Sequence, residues 1–449
     1  MIRRVILVLA LAARVASADS NNATDGSADG SASDGSGAPG ETDPSADDYR
    51  DPFDPNAVPA AHDDADASAP SSSEDPITGT ARLGIYTDSD RTTVWRALGI
   101  VGKTFGQWSL SGSFGVDAVT SASIDVRTSP ALGAVDVITS ASGVSSTSGG
   151  QMSDTRYLGT TSLGWQDSDG HVASSTVAVA TERDYASVSG GLSGSYDILG
   201  RSTTLLGGVN VADNWISSVL DPSLHRKMVS VNGSLGIARV LTKSDALRLR
   251  YDGKIDEGYQ ASPYRSVRFG DWTTTTGDYG QIMFAHTIGD AAGLPEKLPG
   301  SRTSHALTLE WVHSLADGIG LHSSVRAGRD SWGISSLAPA LELRIARPRW
   351  RLELGYRFYL QSHARFFEGK YTQDPSMYAY YTSDKELGSQ VGHLVDAQLT
   401  TALSDHESAN DTRTMLFLRA TVFRYSYPGF VLLHDRSSAF FEAGLLWEL

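Results

Sequence analysis

The feature that most constrains this chain is a two-residue alternation of apolar and polar side chains, sustained over long runs. Between Trp350 and Leu360 the even positions are Trp350, Leu352, Leu354, Tyr356, Phe358 and Leu360. The odd positions are Arg351, Glu353, Gly355, Arg357 and Tyr359. Successive side chains of a strand point to opposite faces, so this segment has one apolar face and one charged face. The stretch 246–256 repeats the pattern: Leu247, Leu249, Tyr251, Gly253 and Ile255 oppose Arg248, Arg250, Asp252, Lys254 and Asp256. Leu307, Leu309 and Trp311 oppose Thr308 and Glu310, and Leu341, Leu343 and Ile345 oppose Glu342 and Arg344. Sustained helical periodicity is scarce, and no apolar run beyond the N-terminus reaches the roughly 18 residues of a membrane helix.

Sixteen segments carry the alternation: 80–88, 94–105, 108–118, 156–166, 171–183, 186–197, 203–214, 228–241, 246–259, 304–314, 319–330, 338–346, 350–361, 392–403, 413–425 and 439–449. Such strands suit either a soluble sandwich, whose polar face meets bulk water, or a membrane barrel, whose apolar face meets lipid. Their length favours the barrel. They run about 10–13 residues, where a tilted membrane strand needs roughly 9–11 and a soluble strand about 5–6. The links alternate as well. Those after the even-numbered strands are short, as at Gly106-Gln107, Asp167–Gly170, Leu199–Arg201 and Arg347–Arg349. The long ones, 119–155, 215–227, 260–303 and 362–391, all follow odd-numbered strands and so share one rim. Short periplasmic turns with long extracellular loops are the bacterial outer-membrane arrangement, and an even strand number puts both termini on the periplasmic side. The expected fold is all-β: a closed antiparallel transmembrane β-barrel of about sixteen strands over residues 77–449.

The N-terminus agrees with export. Arg3 and Arg4 precede the apolar run 5–13, and Ala16-Ser17-Ala18 supplies small residues at a cleavage site, so residues 1–18 read as a signal peptide. Residues 19–76 hold fifteen Asp and Glu against Arg50 alone, with two aromatics, Tyr49 and Phe53. So little apolar surface cannot offset the entropy of ordering, and the segment reads as a disordered acidic linker. Acidic pairs such as Asp63-Asp64 could attract divalent cations, but a solvated spacer is the plainer reading. Most of the net charge of −15 resides in this segment. The body is nearly neutral and offers no basic patch for nucleic acid. The absence of Cys excludes disulfides, thiolate metal sites and cysteine nucleophiles.

Trp108, Trp165, Trp350 and Trp447 fall near the short-turn ends of strands, and Trp95, Trp215 and Trp332 near the long-loop ends, as interfacial girdles require. Two strands are imperfect. Arg96 shares a face with Leu98 and Ile100, and Arg424 falls on an apolar face; both lie near the outer rim, where a basic residue costs about 0–1 kcal/mol. The last strand places Phe441, Ala443, Leu445, Trp447 and Leu449 on one face. It resembles the signal by which outer-membrane barrels engage their assembly machinery, with Leu449 where a Phe is usual.

Four segments carry a family resemblance: Val116–Ser123, Glu182-Arg183-Asp184-Tyr185, Gly258–Arg265 and the C-terminal strand. Together they resemble an uncharacterised bacterial family of outer-membrane β-barrels, a domain of unknown function, over roughly residues 78–449. The resemblance implies location and fold. It carries no ligand, cofactor or catalytic residue.

The strongest functional signal is the charge expected to face the lumen: Arg248, Arg250, Asp252, Lys254, Asp256, Glu310, Arg344, Arg351, Glu353 and Arg357. They come from neighbouring strands and predict a mixed-charge wall, which could select permeating small solutes or merely satisfy itself inside a wet barrel. Sixteen strands leave room for an aqueous channel. Enzyme chemistry is not expected. A hydrolase needs Ser or Asp beside His on one rim, and no local spacing ties His225, His286, His363 or His434, or their neighbours Asp221 and Asp435, to a nucleophile. No two His share a strand face at ligand spacing, so neither His363 nor His393 marks a metal site. Glycine pairs such as Gly190-Gly191 sit within strands and are not phosphate loops. The leading expectation is a pore for small solutes; the other is a closed barrel that scaffolds partners through loops 119–155, 260–303 and 362–391.

Overall fold

The computed structural model describes residues 77–121, 152–218, 221–276, 282–286, 293–403 and 413–448. The expected signal peptide, the acidic linker, the link 404–412 and most of loop 119–155 lie outside these residues. Sixteen strands build the barrel: β1 (Ile77–Asp88), β2 (Thr92–Phe105), β3 (Trp108–Ser121), β4 (Met152–Gln166), β5 (Val172–Thr181), β6 (Tyr185–Ile198), β7 (Thr203–Ser217), β8 (His225–Val240), β9 (Asp245–Gly258), β10 (Ser301–Ala316), β11 (Ile319–Asp330), β12 (Ser335–Arg347), β13 (Trp350–Gln361), β14 (Gln390–Ala402), β15 (Arg413–Ser426) and β16 (Asp435–Glu448). Each pairs antiparallel with its chain neighbour. β1 closes the barrel on β16, from Thr78 opposite Glu448 to Asp88 opposite Ser438.

Burial follows the sequence alternation with the opposite sense to a soluble protein. In β10 the outward Leu307, Leu309 and Trp311 are exposed, while the inward Ala306, Thr308 and Glu310 are buried. Leu83, Val101, Phe114, Leu235 and Val395 extend the exposed apolar belt around the barrel. An apolar exterior of that extent is stable only against hydrocarbon. The strands, 10 to 16 residues long, are sufficient to cross it.

One rim carries six tight turns, the longer link 403–412, which departs from the expected short turn after the fourteenth strand, and both ends of the barrel domain; the other carries the long links. The expected long loop 215–227 is a correction: β7 continues to Ser217 and β8 begins at His225, leaving only 218–224. There the alternation is hidden because its outward members include Lys227, whose Nζ lies 5.7 Å over the Trp215 ring. The links 259–300 and 362–389 are long, and their described residues form short ladders and turns of their own. Ser266–Val267 pairs with Leu294–Pro295, and Trp272–Thr276 pairs with Ile282–His286. Gly258 starts the first of them at φ +115°; a Cβ there would lie 2.2 Å from the Lys227 carbonyl oxygen.

Two further expectations are corrected. Arg96 points into the barrel with Leu98 and Ile100, because Trp95 and Val101 occupy the outward positions. Trp332 is not a girdle residue; it is buried, and its Nε1 donates to the Ser301 carbonyl at 2.9 Å. Trp311, on the turn side, is an outward aromatic of the kind expected there.

Candidate functional site: the lumen wall and its cap

All ten expected lumen charges lie on inward positions of β9, β10, β12 and β13. Most are paired within the wall. Arg248 binds Glu310 on the facing strand, and His322 Nε2 lies 3.6 Å from the same carboxylate. Asp252 receives Arg250 at 2.9 Å and Arg326 at 2.7 Å, and Arg326 also donates to Thr308. Asp256 pairs with Lys254 at 3.2 Å and accepts from Ser230 at 2.6 Å. Arg344 pairs with Glu342, and Arg351 lies 3.0 Å from Glu353. Arg357 is buried, its guanidinium 5.7 Å from the Tyr359 ring centre.

The wall extends beyond those strands. Following one row of facing residues from strand to strand leads from Arg344 to Glu353, Gln398, Arg419, Glu442, Gly84, Arg96, Asp117 and Arg156. Arg156 then pairs with Glu182 at 3.2 Å. The register stagger of a tilted barrel turns this row into a spiral, from near the turn rim to the loop rim. Charge alternates along it, so each inward cation has an acidic or amide neighbour in the next strands. Arg96 meets Asp117 through two bonds, of 2.8 and 3.0 Å, with both side chains buried. Arg419 binds Asp396 at 2.8 Å. The same alternation that marks β9 to β13 could have located these residues in β1 to β4 and β14 to β16, where the charges are sparser.

Exposure falls along the wall. In β9 the side chain of Arg248 is 38% exposed, Arg250 24%, Lys254 17% and Asp256 8%. The lumen is therefore open toward the turn rim and covered toward the loop rim. The cover is built by the long links. Arg265 pairs with Asp384, and Tyr264 donates to Asp184 between β5 and β6. The Glu296 carboxylate, fully buried, accepts from the Thr382 hydroxyl at 2.6 Å and from the backbone N–H of Ser383 and Ser262. Burial holds this carboxyl above the usual range, with Arg265 opposing. Trp332, Ile334, Phe367, Leu387, Tyr427 and Phe430 form an apolar cluster beneath these contacts. Arg436, inward on β16, ties cover to wall through Glu386 at 3.3 Å.

Asp154, Glu182 and Asp184 bring carboxylate oxygens within 4.8 Å of one another, a spacing that could hold a cation. All three already bind protein groups: Asp154 accepts from the Thr155 backbone N–H at 2.7 Å, Glu182 pairs with Arg156 and Asp184 accepts from Tyr264. Of the expected histidines, His363 has Nδ1 3.3 Å from Ser389 Oγ, and His393 has Nδ1 2.9 Å from Tyr356 Oη.

Over residues 55–407 the sequence matches the family described as a protein of unknown function, DUF3570. The chain belongs to that family. Membership bears out the resemblance to an uncharacterised barrel family, although the matched region starts within the acidic segment and stops before the last two strands. No curated protein matches. By structure the barrel is similar to a bacterial polysaccharide outer membrane secretin, at 8% identity over 83% of this chain and 97% of that one, with a TM-score of 0.42. It is similar also to a mutant monoaromatic hydrocarbon channel (10%, 84% and 90%, TM-score 0.37). A third is the ferric enterobactin receptor of Pseudomonas aeruginosa (9%, 78% and 54%, TM-score 0.39). This chain spans about half the length of that receptor.

Proposed function

We propose that this barrel sits in the bacterial outer membrane, long-loop rim outward and both ends of the barrel on the periplasmic side, and passes small solutes through its lumen. The observation that carries this reading is the inner wall. Charged and amide side chains face one another along it from strand to strand, and its most exposed cations, Arg248, Arg344 and Arg351, line the half that is open toward the turns. Arginines exposed in a water-filled lumen favour anions by their field. The folded links then act as a cover that limits flux at the outer mouth.

Planar-bilayer recording of the purified protein tests this. The expected result is a stable conductance that prefers anions. The double substitution Arg344→Glu and Arg351→Glu should move the preference toward cations, and Arg265→Ala, which releases Asp384 in the cover, should raise the open fraction. The burial of Glu296 and the apolar cluster beneath the cover favour a second reading, a closed barrel that scaffolds partners through its long loops. Inserted protein that stays silent, both as wild type and as Arg265→Ala, would establish that second reading.

A further inference from the structure

The lipid-facing surface carries one arrangement twice. On the outward face of β9, β10 and β11, the Tyr251 hydroxyl meets His305 Nδ1 at 2.6 Å, and His305 stands directly opposite Arg329. On the outward face of β13, β14 and β15, the Tyr356 hydroxyl meets His393 Nδ1 at 2.9 Å, and His393 stands directly opposite Arg424. In both, the tyrosine is diagonal to the histidine, since Gly253 faces His305 and Phe358 faces His393. All six residues are exposed.

The two rows sit at the same level of the barrel. The row of facing residues through His393 and Phe358 continues, between the facing pairs Leu337–Leu360 and Ala340–Arg357, to the level of Pro339, Val325 and Leu309, four residues from His305 along β10. A register stagger of roughly one residue per strand accounts for that offset over four strands. The level is near the loop rim: Arg329 is one residue from the end of β11 and Arg424 two from the end of β15. Apolar outward residues, Leu307, Leu309 and Val325 in one case and Leu354, Val395 and Val422 in the other, continue toward the midplane.

A basic residue on a lipid-facing surface is stabilised by an anion at the headgroup level. Arg329 has no ion-pair partner among the described residues, and Arg424 approaches only the exposed Asp435, at 3.9 Å. With the tyrosine hydroxyl donating to Nδ1, the histidine carries its proton at Nε2, and histidine and arginine, facing each other across the ladder, can offer one anion a fork of N–H groups. A phosphomonoester, with about −1.5 to −2 charge at neutral pH, matches such a fork better than a singly charged phosphodiester.

We propose that each Tyr–His–Arg row binds a phosphate group of a phosphomonoester glycolipid of the outer leaflet. The inference rests on the outer-membrane orientation given above. It is tested with full-length protein in nanodiscs of phosphatidylcholine doped with diphosphoryl lipid A, by native mass spectrometry after release. Insertion into the nanodiscs tests the membrane reading; lipid retention among inserted barrels tests this proposal separately. Wild type should retain two equivalents. His305→Ala with Arg329→Ala, or His393→Ala with Arg424→Ala, should retain one, and the combined variant none. Tyr251→Phe and Tyr356→Phe together keep the rings and should weaken retention about tenfold or more. Arg239→Gln, an exposed outward arginine on the turn side, should change nothing. Heat-modifiable gel mobility confirms that each variant is folded. Equal retention by the combined variant overturns the proposal, as does equal retention of dephosphorylated lipid or of phosphatidylglycerol. So does a wild-type barrel that carries a second copy of itself at these rows in place of lipid.

Discussion

At the scale of single residues, environment rather than identity sets behaviour. Glu182, between β5 and β6, is removed from water, and burial pushes its carboxyl up to about 7, against the pull of Arg156 and with Asp154 adding to the rise. A carboxyl raised in the folded state favours the protonated form. Its stabilisation is complete below 4.5, its ordinary value, and is lost as pH rises through about 7. Glu182→Gln, which mimics the protonated state, should gain on wild type over that window. Denaturant midpoints measured across the pH series check this, and a gap that stays constant with pH rules it out. Residues also show where sequence reasoning stopped. Arg96 was legible as a departure from alternation but not as half of a buried pair, because its partner Asp117 lies on the next strand and only the register brings them together. Trp332 was legible as an aromatic near a strand end. Its burial depends on Phe366 and neighbouring cover residues remote in sequence.

At the scale of elements, the two faces of a strand should respond differently to charge. Leu309 is outward near the middle of β10, and Leu309→Arg places a cation near the midplane, at a cost of about 2–4 kcal/mol. Glu353, inward on β13, accepts from Gln398 at 3.0 Å, and a glutamine there keeps an acceptor. Glu353→Gln should cost at most about 1 kcal/mol. The folded fraction in vesicles, read by gel mobility, separates the two, and equal tolerance would overturn the facing of both strands. The sixteen strands were legible because the two-residue period is local: Trp350–Gln361 and Ile319–Asp330 are matched end to end. The short ladders inside loop 260–303 and the turns at Pro375–Met377 and Lys385–Leu387 were not. They are too short for a period to register, and contacts such as Arg265 with Asp384 join segments 119 residues apart.

At the scale of the whole molecule, the lumen is a graded chamber, wet where the turns lie and covered where the links fold, and its charges are nearly all accounted for within the wall. A closed barrel of this construction needs every strand. Deleting β16 would expose the ladder edges of β1 and β15 together, so the shortened chain should yield no heat-modifiable species. Any folded fraction comparable to the full chain would contradict this. The pairing of Thr78 with Glu448 also has a kinetic meaning. The ring is completed by the last of the barrel's strands to be made, so no stable half-product is available before that strand exists. The nascent polypeptide must be kept loose and unaggregated until that closing strand has emerged.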